Sequence, residues 1–106
     1  MTLLRAALVW LALAPGAEAA CRQALALGLD VSGSVDAREY RLQLDGLAAA
    51  LGAEAVRAAL LEAPGPPVRL AVYEWSGPTD QRLLLPWTEI ADAGVLAEVQ
   101  ARLRRT

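Results

Sequence analysis

Asp30-Val31-Ser32-Gly33-Ser34 places three oxygen-bearing side chains at alternate positions where an apolar run ends. Carboxylate and hydroxyl oxygens grouped in this way suit a hard divalent cation. The preceding run, Ala24-Leu25-Ala26-Leu27-Gly28-Leu29, is nearly continuous in apolar residues, the pattern of a strand buried on both faces of a parallel sheet. Asp30 then falls at the carboxyl end of that strand, where open α/β sheets bind their ligands. If the chain stays extended, residues i, i+2 and i+4 project to one side, and Asp30, Ser32 and Ser34 face a common point. The same residue types also make ordinary turns and helix caps, so a strand-to-helix connection without a ligand is the alternative.

Composition narrows the remaining chemistry. The 106 residues contain no histidine, which removes His-ligated zinc, imidazole bases and Ser-His-Asp catalysis. There is no lysine either, and Ser34 stands where a phosphate-binding loop from Gly28 would carry one. A formal net charge of −2 gives no basic footprint for nucleic acid, and Arg102, Arg104 and Arg105 are expected to complement a helix C-terminus. Met1 to Leu4 and Arg5, the apolar stretch Ala6 to Ala14, the breakers Pro15 and Gly16, and Ala17-Glu18-Ala19 form the pattern of a secretory signal over residues 1–19. The apolar run is shorter than the roughly 20 residues needed to span a bilayer. The expected location is periplasmic or secreted, with no membrane attachment after cleavage. Glu18-Ala19-Ala20 before Cys21 is not a lipoprotein signal, and Cys21 has no second cysteine in the chain with which to form a disulfide.

The elements that must position the oxygens can be read along the chain. Asp36 and Glu39 have the spacing of a capping box. The helix behind it carries an apolar stripe of Tyr40, Leu44, Leu47 and Leu51, with Arg41 and Asp45 paired on another face and Gly52 at its end. A second helix is expected from Ala53 to Leu61, then a loop at Pro64-Gly65-Pro66-Pro67. Val68 to Trp75 reads as a strand. Gln81 to Trp87 reads as another, joined by a connection too short for anything but an antiparallel hairpin. Pro86 places that third strand at an edge or ends it. Asp92 to Arg104 is expected to form the last helix, with Val95, Leu96, Val99 and Leu103 on its apolar face. The predicted class is α/β, a mostly parallel sheet with an antiparallel edge hairpin strand. Trp75 and Trp87 are expected to serve packing, and Glu74 sits beside them at a strand end.

This element order, with Asp30-x-Ser32-x-Ser34 at the first strand's end, resembles the amino-terminal half of a Rossmann-like von Willebrand factor A domain. Leu29 to Asp36, Glu39-Tyr40, Val72-Tyr73-Glu74-Trp75-Ser76-Gly77 and Leu85-Pro86-Trp87-Thr88 further resemble a domain-of-unknown-function family of exported bacterial proteins with a domain of that type. The resemblance implies a metal-ion-dependent adhesion site in which Asp30, Ser32 and Ser34 hold Mg²⁺ or Mn²⁺, together with a Thr and an Asp from later loops. Ser32 and Ser34 would offer hydroxyl oxygens, and Asp30 its charge, directly or through water. The partner would be a protein ligand supplying an acidic group to the metal. A complete domain of this kind is about twice the length of Ala20 to Thr106. This chain is therefore expected to be a truncated half with a partial site, and the disulfide partner of Cys21 is expected either in the missing half or in another chain.

The function expected on these grounds is a non-enzymatic, divalent-metal-dependent binding module. One alternative is a fragment without independent activity, because a sheet lacking strands exposes an apolar edge and face. Another makes Asp30 a nucleophile in phosphoryl transfer, although Ser32 then stands where such enzymes usually carry a second acid.

Overall fold

The computed structural model describes residues 21–106, so the signal segment expected over residues 1–19 lies outside the described residues. The elements are β1 (Ala24–Asp30), α1 (Ala37–Leu51), α2 (Glu54–Leu61), β2 (Arg69–Gly77), β3 (Asp80–Glu89) and α3 (Ala93–Arg105). The class is mixed α/β, with a three-stranded sheet in the order β1-β2-β3. β1 and β2 pair in parallel from Ala24↔Arg69 to Asp30↔Trp75, and β2 and β3 pair antiparallel. With one pairing of each kind, the described sheet is mixed rather than mostly parallel.

The expectation that β1 is buried on both faces is corrected. Leu25, Leu27 and Leu29 pack against the core, whereas Ala24, Ala26 and Gly28 on the other face are exposed. The apolar run conceals an alternation of large and small residues, and only the large ones have a layer to bury against. β2 repeats the arrangement: Leu70 and Val72 are fully buried under the helices, while Tyr73 and Trp75 line the opposite face with Leu83 and Trp87. Residues from all three helices join the sheet in one core that includes Leu44, Ala48, Leu51, Leu60, Leu96, Val99 and Leu103.

Local chemistry sets the helix boundaries. Asp36 accepts from the Glu39 amide (2.8 Å) and Glu39 accepts from the Asp36 amide (2.9 Å), the reciprocal bonds of a capping box. The predicted stripe of α1 faces inward, joined by Ala48. α1 ends at Gly52, whose φ of −92° does not require glycine. A Cβ there would displace the Gln100 side-chain amide, which donates to the Ala48 carbonyl (2.9 Å). Arg22 donates to the carbonyls of Ala59 (2.8 Å) and Ala63 (2.9 Å), tying the segment before β1 to the end of α2. Asp92 caps α3 through the Val95 amide (2.9 Å). The end of α3 is served by Arg41 of α1, which donates to the carbonyls of Leu103 and Thr106. Arg102, expected to serve that end, instead donates to the Leu84 carbonyl of β3 (3.0 Å).

The hairpin is tighter than the sequence suggested, since Gly77 pairs with Asp80 and leaves only Pro78 and Thr79 in the turn. β3 is an edge strand, as Pro86 required. Pro86 and Trp87 together oppose Ala71 in a register shift between the Val72↔Leu85 and Leu70↔Thr88 pairs, a bulge that absorbs the missing donor. Trp75 and Trp87, expected to serve core or edge packing, lie outside the core on the face of the described sheet away from the helices, at 39% and 56% exposure. No helix among the described residues is long and apolar enough to cross a membrane.

Candidate functional site

The Asp30 end of β1 is fixed from two sides. The Val31 amide donates to the Trp75 carbonyl of β2 (2.8 Å), and the Gln43 side-chain amide of α1 donates to the Asp30 carbonyl (3.0 Å). The β1–α1 loop therefore starts from a backbone held by both the sheet and the helix.

Asp30 Oδ1 accepts two bonds from Ser32, one from its amide (2.9 Å) and one from its hydroxyl (2.6 Å). The hydroxyl bond, then the amide bond, hold the Asp30 carboxyl below its ordinary 3.8, against a smaller opposing effect of burial. At neutral pH the group is an exposed carboxylate. Because the Ser32 hydroxyl donates its hydrogen bond to Asp30, the lone pairs of its oxygen remain available to a cation.

The structure thus brings Asp30 and Ser32 together, but not by the pleat alternation first supposed. The strand stops at Asp30. The bond from the Asp30 carboxylate to an amide two residues on is an Asx turn, and the Val35 amide then donates to the Ser32 carbonyl (2.9 Å), closing a turn around Gly33 and Ser34. Side-chain oxygens competing for backbone amides bend the segment out of the extended form. Ser34 is exposed on this turn.

The donor set matches hard-cation chemistry in kind: one carboxylate and hydroxyl oxygens, on a loop held at both ends. Among the described residues no group of three or more His, Cys, Asp and Glu side chains could hold a metal. A cation bound here would keep several waters, as Mg²⁺ commonly does.

One cluster was missed in the sequence. Tyr40 donates its hydroxyl to Glu74 Oε2 (2.6 Å), and Arg82 Nε lies 3.1 Å from Glu74 Oε1. Burial, followed by the hydrogen bond to Glu74 and its charge, pushes the Tyr40 phenol above its ordinary 10.0. The available signal was an acidic residue at an inward position of an otherwise apolar strand, Leu70-x-Val72-x-Glu74. Glu74, Arg82, Ser76, Asp80 and Gln81 also line a small open pocket at the hairpin end of the sheet.

Residues 20–106 match the model of a family described as Protein of unknown function (DUF1194). No curated protein and no solved structure matches the chain. With most of its length covered by that match, the chain belongs to the DUF1194 family.

Proposed function

We propose that this protein is an exported, non-enzymatic binding module that captures a protein ligand through a divalent cation, Mg²⁺ or Mn²⁺, held at Asp30, Ser32 and Ser34. The observation that carries the reading is the pairing of the Asp30 carboxylate with the Ser32 hydroxyl (2.6 Å) on an exposed loop at the carboxyl end of β1. Asp30 supplies the charge, directly or through water, and Ser32 and Ser34 supply hydroxyl oxygens. When bound, the cation would offer a Lewis-acidic position for an acidic side chain of the partner. With one protein carboxylate nearby, little of the ion's charge is neutralised in advance.

The β1-α1-α2-β2 order, with β1 and β2 parallel and the oxygen-bearing loop at the end of β1, supports a von Willebrand factor A-like, Rossmann-like fold as the finer description. The charged, apolar and small-residue regions of residues 1–19 support export to the periplasm or beyond. The absence of lysine and histidine favours binding over acid–base or phosphoryl chemistry.

The test is a thermal melt with and without millimolar Mg²⁺, run beside Asp30→Ala. A ligand that binds only the native state raises its melting temperature. Mg²⁺ is expected to raise the midpoint of the unmutated protein and leave that of Asp30→Ala where it was. Equal shifts in both, or none in either, would refute the site.

A further inference from the structure

We infer that Glu74 is a positioning residue for the Asp30–Ser34 loop, acting through the hydroxyl of Tyr40. Its relevance to cation binding rests on the reading above. The Glu74 carboxylate is only 17% exposed and both its oxygens are engaged, one by Tyr40 of α1 and the other by Arg82 of β3. An ion pair at a half-buried site gives little stability over apolar residues of similar size. What it supplies is a directional link between three elements.

That link leads to the loop by two routes. Tyr40 directly follows Glu39, so fixing Tyr40 fixes the capping box that anchors Asp36 at the loop's end. Tyr40 and Gln43 stand three residues apart on one face of α1, so the rotation set by Tyr40 carries the Gln43 amide to the Asp30 carbonyl (3.0 Å). On the sheet side, Glu74 is the register partner of Leu29, and the next residue, Trp75, accepts from the Val31 amide. Glu74 therefore holds the helix above the loop and belongs to the strand beneath it.

The test measures hydrogen exchange in the metal-free protein and, separately, Mn²⁺ affinity by electron paramagnetic resonance. Tyr40→Phe and Glu74→Ala are expected to speed exchange of the Val31, Ser32 and Val35 amides by about tenfold, the loss of roughly one net hydrogen bond. The Ile90 amide, bonded to Val68 at the opposite end of the sheet, should change by less than about twofold. Glu74→Gln keeps an acceptor oxygen for Tyr40 and should restore most of the protection. The same three variants should rank identically in Mn²⁺ affinity. Unchanged loop exchange in Tyr40→Phe, or acceleration equal at Ile90, would overturn the positioning role. Faster loop exchange with unaltered Mn²⁺ affinity would overturn its connection to the site. If the unmutated protein takes up no Mn²⁺, the cation reading and this connection fail together, while the exchange measurements still decide whether Glu74 holds the loop.

Discussion

Leu42 and Leu44 stand two residues apart on α1, yet Leu42 is 62% exposed and Leu44 is fully buried. Truncating each to Ala removes the same atoms from the same helix, so the difference isolates burial. Leu44→Ala loses about 1.5–3 kcal/mol of transfer free energy. A residual cavity adds to this, because Leu44 is enclosed by core residues of the helices and sheet, and the total is expected near 3–4 kcal/mol. A domain of this size holds about 4–13 kcal/mol in all. Leu44→Ala should therefore remove a quarter or more of the stability and lower the melting temperature by about 12–32 °C. Leu42→Ala should stay within about 0.5 kcal/mol of the unmutated chain. Urea unfolding followed by far-ultraviolet circular dichroism measures both. Two positions along a helix correspond to a rotation of about 200°. If Leu42→Ala costs as much as Leu44→Ala, then α1 does not lie on the sheet in this orientation. Tyr40 and Gln43 would then be turned away from Glu74 and Asp30, and the account of the loop would fail with the helix.

Asp30 has a folded-state pKa below its ordinary 3.8, so its contribution to stability is complete above that value and is lost as pH falls through the lowered one. The urea midpoint of Asp30→Asn should accordingly fall less between pH 7 and pH 3 than that of the unmutated protein. Tyr40 is raised above 10.0, so its contribution is complete below that pH and disappears as pH rises through the folded-state value. Tyr40→Phe should flatten the alkaline limb of the stability profile. Arg22→Ala removes the donors to Ala59 and Ala63 and is expected to cost about 1 kcal/mol, with exchange faster in α2 than in α1; a change confined to α1 would contradict the tie. Trp87→Ser acts on a residue 56% exposed on the uncovered face and should leave stability within about 0.5 kcal/mol while reducing self-association by light scattering. A large loss of stability would show that the face is covered.

Local signals carried much of the architecture. The Asp36–Glu39 box, the Leu44 stripe, the Pro86 edge strand and the Asp92 cap depend on residues close in the chain, where spacing and backbone chemistry suffice. The β1 burial pattern departs from the expectation because a run counted simply as apolar conceals an alternation of large Leu with small Ala and Gly, which have little surface to bury. What exposes Ala26 and Gly28 is that none of the described elements packs over them, a property of neighbouring elements. Gly52 stands at a helix end as expected, but the Gln100 amide that lies against it comes from a helix 48 positions further along.

The sequence by itself determined the order of strands and helices, the caps, the absence of imidazole and lysine chemistry, and the location of an Asp, a Ser and a second Ser at a strand end. These follow from residue type and short-range spacing, which act before any distant contact forms. Tertiary structure alone decided that Asp30 meets Ser32 through an Asx turn, that Ser34 stands out on the turn beyond them, and that Glu74 receives Tyr40 from 34 residues away. Such meetings depend on the rotation of α1 over β2 and on the parallel register of β1 and β2. That packing is settled by the whole core at once, because no single residue's spacing encodes it.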